Sequence, residues 1–332
     1  MYRKIMSFLE AWKESSHRKP LILQGARQVG KTYSILEFGR THYENVAYFN
    51  FETNPKLNET FNENISPDYL IPILSHIAGQ TIVKEKTLIV FDEVQLCERA
   101  LTSLKYFCED APDYHIIVAG SLLGVAVNRA KFSFPVGKVD MKTLYPMDME
   151  EFMLALGEDA LVKKIKNCFT DNSPMPSALH DAAMQLYRQY LIIGGMPECV
   201  MQFAETKDYI LVRHTQDTIL ASYLNDMSKY NNLNEIKKTR LAYDNITVQL
   251  SKKNTRFQYK LIKKGGRASE FENAIEWLCL SGIVSQVYRA EQIKKPLENY
   301  RDIDAFKIYV SDLGLLCAKK DLAANDILYM VE

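Results

Sequence analysis

Residues Gly25-Ala26-Arg27-Gln28-Val29-Gly30-Lys31-Thr32 decide the fold. They follow the short apolar run Leu21-Ile22-Leu23 and spell G-x-x-x-x-G-K-T. Each residue type in that pattern has a task when the ligand is a polyphosphate. Gly25 and Gly30 permit backbone angles that a side chain forbids. Successive N–H groups can then turn inward and cradle the β- and γ-phosphates. Lys31 sets a point charge beside the same oxygens, and the Thr32 hydroxyl is a ligand for Mg2+. The neighbouring sequence agrees. The apolar run suits a buried parallel strand. Residues 32–39 read as the following helix, so the phosphates would sit at its positive end. A chance glycine turn has no need of this strand, this helix or the lysine. The nucleotide-contacting set is Gly25, Ala26, Arg27, Gln28, Val29, Gly30, Lys31, Thr32 and Tyr33, with Lys31 also serving catalysis.

Outward from this loop, residues 46–51 form a second strand, and residues 70–78 a helix with Pro72 in its first turn. Thr87-Leu88-Ile89-Val90-Phe91-Asp92-Glu93 then sets an apolar strand before two carboxylates. Acidic residues often end strands, so this pattern alone is weak. About sixty residues after a phosphate loop it reads as the Walker B strand of an ATPase. Asp92 would hold Mg2+ with Thr32. Glu93 would activate the attacking water as general base. The bland alternative makes Glu93 a surface carboxylate, with Glu52 at the neighbouring strand tip as base.

Residues 114–121 are a further strand with Ser121 at its tip. Carboxyl ends of parallel strands line the ligand crevice, so Ser121 is a catalytic candidate that senses the γ-phosphate or positions the water. The alternative is a serine that caps the next turn. Residues 136–145 read as the last strand. Residues 2–15 carry Ile5, Phe8, Leu9 and Trp12 at helical spacing, for packing near the nucleotide base or simply in the core. No N-K-x-D sequence for reading guanine follows, which favours ATP over GTP.

The chain has 332 residues, enough for two or three domains. Lys+Arg and Asp+Glu are 41 each, so net charge points to no partner. None of the six cysteines makes a C-x-x-C pair; buried reduced thiols in a cytoplasmic protein are expected. No run approaches the ~20 apolar residues of a membrane helix, and residues 1–12 are no signal peptide.

The expected architecture is α/β: a P-loop NTPase sandwich with a parallel sheet over residues 1–148, a helical lid or linker domain over 149–230, and a winged-helix domain over 231–332. In the last part, helices at 233–251, 259–262 and 268–280 precede strands at 283–288 and 306–310 that would pair as a wing. Between Lys229 and Glu272 stand eleven Lys and Arg residues against four acids. Such a surface attracts phosphate backbones. Equally, winged helices serve as protein-docking modules.

Several stretches resemble one family: the phosphate loop, Phe91-Asp92-Glu93-Val94-Gln95, Ala119-Gly120-Ser121 and Phe134-Pro135-Val136-Gly137-Lys138. They look like those of prokaryotic AAA-like ATPases with an uncharacterised C-terminal half. Tyr190-Leu191-Ile192-Ile193-Gly194-Gly195-Met196-Pro197 and Tyr309-Val310-Ser311-Asp312-Leu313-Gly314-Leu315-Leu316 resemble that family's later signatures. The resemblance implies a Mg2+-dependent ATPase whose nucleotide state switches domain arrangement. A nucleotide-dependent DNA-binding regulator with slow hydrolysis is the alternative. It also implies a homo-oligomer with an arginine finger; Lys138 stands where relatives often carry Arg, leaving Arg27, Arg99 and Arg129 as candidates. Members usually continue into a domain similar to restriction endonucleases. No E-x-K or D-x-K in a strand context follows Glu298, so that domain is expected to be missing here, either because the sequence is truncated or because this member lacks it.

Overall fold

A computed structural model describes residues 1–120, 134–229, 233–253 and 256–329. The chain divides into two compact units. One is Arg3–Tyr145; the other is Pro146–Glu332 together with Met1–Tyr2.

The first unit is built on five parallel strands: β1 Leu21–Gln24, β2 Asn45–Asn50, β3 Thr87–Asp92, β4 His115–Ala119 and β5 Asp140–Thr143. Their order in the sheet is β2-β3-β4-β1-β5. β4 therefore separates β1 from β3, and the chain changes side of the sheet on passing to β5. A crevice opens where strand order reverses, at the carboxyl ends. All six β3 residues are buried, as expected for a strand covered on both faces.

Helices supply that cover. Ile22, Phe49, Ile89, Phe91, Ile116 and Val118 share one apolar cluster with Leu57, Phe61, Leu70, Leu74, Leu104 and Phe107. The latter belong to helices Lys56–Glu63, Pro67–Ala78 and Glu98–Asp110. The opposite face carries helix Lys31–His42, whose Gly39 lies against Val46 and Leu88. Helix Ile5–Glu14 covers the same face. Its Trp12 meets His115 edge-on at 6.2 Å and donates to the Lys19 carbonyl. His115 opens β4, so Trp12 packs at the amino end of the sheet, away from the phosphate loop.

Three elements of this unit differ from the sequence reading. The helix expected at 70–78 begins at Pro67, which takes the first turn and needs no N–H there; Pro72 lies inside the helix. The strand expected at 136–145 shrinks to Asp140–Thr143, because Gly137 takes a left-handed turn at φ 74° just before it. Helix Lys56–Glu63 has no counterpart in the sequence reading; six of its eight residues are polar and only Leu57 and Phe61 are buried.

The second unit is mostly helical. Helices Met149–Ala155, Asp159–Thr170, Ser177–Ile193, Pro197–Thr206 and Tyr209–Lys229 lead into Leu233–Leu250 and Ala268–Leu280. β6 Val284–Ala290 and β7 Arg301–Val310 pair antiparallel, with Val284 opposite Val310. Helices Leu313–Lys319 and Ala324–Leu328 follow. A buried knot joins distant sequence here. The Asp312 carboxylate accepts from Leu315 N at 2.8 Å, capping its helix, and from Gly195 N at 2.6 Å. Gly194 has φ 76°, and a Cβ there would fall 2.2 Å from Asp312 Oδ1. A Cβ on Gly314 would fall 2.2 Å from the Ile193 carbonyl oxygen. The two later signatures thus fit into one another, and burial pushes the Asp312 carboxyl up to about 6.

Candidate nucleotide site

The loop after β1 has the backbone its sequence requires. Gly25, Gln28 and Gly30 take positive φ of 148°, 65° and 89°. At Gly25 space is as limiting as conformation: a Cβ would lie 2.2 Å from the Leu144 carbonyl oxygen. Gly25→Ala should therefore distort the loop and cost about 1–3 kcal/mol. A lower melting temperature with weakened ATP binding would bear this out; an unchanged melt and affinity would refute it.

Lys31 opens the helix and is only 7% exposed. Its Nζ donates to the carbonyls of Gly25 at 2.9 Å and Ala26 at 2.7 Å. Burial pushes its ammonium down to about 8, opposed by the nearby Glu93 and Asp92. Ala26 and Val29 are buried. Tyr33 is 56% exposed on the first turn.

Thr32, in the first turn of its helix, meets Asp92 at the end of β3. The Thr32 hydroxyl donates to Asp92 Oδ2 at 2.8 Å. Tyr48 on β2 donates its hydroxyl to the same oxygen at 2.8 Å, and the Glu93 N–H donates to Oδ1 at 2.9 Å. Asn50 donates to the Tyr48 oxygen at 3.2 Å. The Tyr48 phenol is pushed up to about 12, chiefly by burial, with its bond to Asp92 adding to the shift. A hydroxyl beside a carboxylate is a hard-oxygen donor set of the kind Mg2+ takes. The lysine, the turned-in loop and these oxygens fit a nucleotide with its metal. Among the described residues no group of three or more His, Cys, Asp and Glu could hold a metal by itself.

Glu93 follows Asp92 with φ 52°, a left-handed conformation rare for a residue with a side chain. The chain turns there into a short 3-10 helix, Val94–Leu96, so Glu93 leaves the strand's alternation. Its carboxylate accepts a short hydrogen bond from Gln95. Ser121 and Arg129 lie outside the described residues. Arg99 donates to the Phe61 carbonyl at 2.8 Å, within its own unit. Lys138 pairs with Glu109 at 2.9 Å.

Residues 17–153 match the family described as AAA domain. This part of the chain matches an AAA domain and carries the P-loop NTPase fold. Residues 184–326 match a domain of unknown function. Of solved structures, the Walker-type ATPase of Pyrococcus abyssi aligns over 96% of this chain and 95% of its own, at 13% identity and TM-score 0.58. That likeness is one of fold. The ORC2 protein of Aeropyrum pernix aligns over 98% and 94% at 12% identity, with TM-score 0.46. A RuvB Holliday junction branch migration motor from Thermotoga maritima aligns over 85% and 87% at 13%, with TM-score 0.35. No curated protein matches the chain.

Around the AAA domain's loop, sequence reasoning missed Arg3, Tyr48, Asn50 and Gln95. Tyr48 and Asn50 alternate on β2, and Asn50 stands in register with Asp92. That period is the one signal which pointed toward the site. No helix among the described residues is long and apolar enough to cross a membrane.

Proposed function

We propose that the chain binds ATP with Mg2+ at Gly25–Thr32 and hydrolyses it, and that the nucleotide state changes the arrangement of its domains. The observation that carries this reading is the 2.8 Å contact of Thr32 with Asp92, beside a buried Lys31. When bound, ATP with its metal supplies the transferable phosphoryl group and neutralises its charge. The chain's residues do the rest. Loop N–H groups orient the phosphates. Lys31 exchanges the carbonyls of Gly25 and Ala26 for phosphate oxygens. Thr32 and Asp92 hold the metal, and Glu93 takes the proton of the attacking water. Ser121, two residues past β4 in the sequence, is assigned to the γ-phosphate or the water. The three-domain division at about 148 and 230, a homo-oligomer and a cytoplasmic location belong to the same reading.

The second reading, a DNA-binding regulator, has one observation in its favour and one against. Lys260, Lys263, Lys264 and Arg267 are exposed together in the segment before helix Ala268–Leu280. That helix, the groove-reading element of a winged helix, exposes Ser269, Glu272, Asn273 and Glu276. Acids on its outer face oppose entry into a groove, so any DNA contact falls to the lysines and the phosphate backbone. Turnover of ATP with and without Mg2+, and with and without duplex DNA, tests both. Mg2+-dependent phosphate release supports the ATPase. Negligible release together with salt-sensitive DNA retardation supports the regulator.

A further inference from the structure

Arg3 lies outside every motif named above, yet it is only 4% exposed. Its Nη1 donates to the Val29 carbonyl at 2.8 Å, and its Nη2 to the Tyr145 carbonyl at 2.8 Å. Val29 belongs to the phosphate loop. Tyr145 is the last residue of the first unit. One planar guanidinium therefore clasps the loop to the segment by which the chain leaves this unit. Two other contacts join the same places. Leu144 N donates to the Gln24 carbonyl at 2.8 Å, and Gly25 has no room for a Cβ against Leu144.

The bond to Val29 has a consequence for the cradle. A trans peptide is planar, so the Val29 C=O and the Gly30 N–H point in opposite directions. Holding the carbonyl toward Arg3 turns the Gly30 N–H the other way. Arginine suits the task because its fork offers two donors in fixed geometry; a lysine offers a single point. Removing a guanidinium from water is costly. A buried one that spends donors on two backbone carbonyls implies that their positions matter.

We propose that Arg3 is a positioning residue for the nucleotide. It fixes the phosphate loop in its binding shape through Val29 and ties that shape to the chain's exit at Tyr145. The proposal rests on the ATP reading given above. The full chain, Arg3→Ala and Arg3→Lys are titrated with ATP and Mg2+ by calorimetry, with melting curves for each. Arg3→Ala should bind about tenfold more weakly or worse, the scale of a lost charged hydrogen bond. Excess methylguanidinium should recover most of that loss. Arg3→Lys should stay weak, because it keeps the charge without the bridge. Parent affinity in a folded Arg3→Ala overturns the proposal. So does parent affinity in Arg3→Lys, which also decides the matter should the alanine variant not fold. So does a loss that methylguanidinium leaves untouched. A parent chain that binds no ATP is a distinct result: it removes the nucleotide reading, and this inference with it.

Discussion

Lys31→Ala should abolish detectable ATP binding. The ammonium is buried, and the loop's own carbonyls hold it within 2.9 Å of Gly25 and 2.7 Å of Ala26. No other cation in the described loop is so enclosed. A unit charge about 4 Å from a phosphate oxygen is worth about 4 kcal/mol at an effective dielectric near 20, or about a thousandfold in affinity. The same burial gives the parent a pH signature. Without nucleotide the ammonium titrates at about 8. Bound phosphates favour its charged form and raise that value. Binding ATP above this point therefore requires uptake of a proton, so affinity should weaken as pH rises through about 8 and stay level below it. Calorimetry on both proteins, and on the parent across pH, checks this. Parent-like affinity in Lys31→Ala would overturn the assignment.

Glu93→Gln should leave ATP binding nearly intact and slow hydrolysis by ~10²-fold or more, the scale of general-base catalysis. The substitution keeps the shape and the short contact with Gln95 while removing the proton acceptor. Asp92 should fail differently. Its oxygens accept from Thr32, Tyr48 and the Glu93 N–H, so Asp92→Ala would loosen the metal site as a whole. Loss confined to turnover marks an interaction made only in the transition state. The left-handed backbone at Glu93 strengthens the expectation. Such a conformation costs about 1–3 kcal/mol in a residue with a side chain, and such strain concentrates at functional positions. A single-turnover assay decides the matter. Hydrolysis by Glu93→Gln at the parent's rate would move the base elsewhere, with Glu52 the first position to examine.

Much of the first unit was legible because its chemistry demands fixed spacings. A loop that cradles phosphates needs glycines and a lysine at set positions, and an acid at the end of a buried strand completes the metal site. The helix at Ala268–Leu280 was legible from its apolar period. The residues that hold the site were not. Arg3 acts through two backbone carbonyls, and any carbonyl would serve, so no partner residue type betrays it. Tyr48 reaches Asp92 across a strand pair whose register follows only from the assembled sheet. Gln95 looks like any surface amide beside a turn. Helices Lys56–Glu63 and Asp159–Thr170 escaped notice for a related reason. Each buries only a few apolar side chains in a polar sequence, so tertiary packing rather than local pattern defines them.

The knot at Asp312 also sets a timetable. Asp312 leaves the ribosome 117 residues after Gly195, the N–H it must accept. At 5–20 residues per second that interval is roughly 6 to 23 seconds. Until then the Gly195 N–H lacks the carboxylate that holds it, and the Ile193 carbonyl lacks the close cover of Gly314. Both gaps close only when the late segment arrives. Completion of the second unit during synthesis therefore waits on a contact of long sequence separation, which slows folding. While it waits, the emerging helices around Ile192 and Ile193 present apolar surface to chaperones and to other nascent chains.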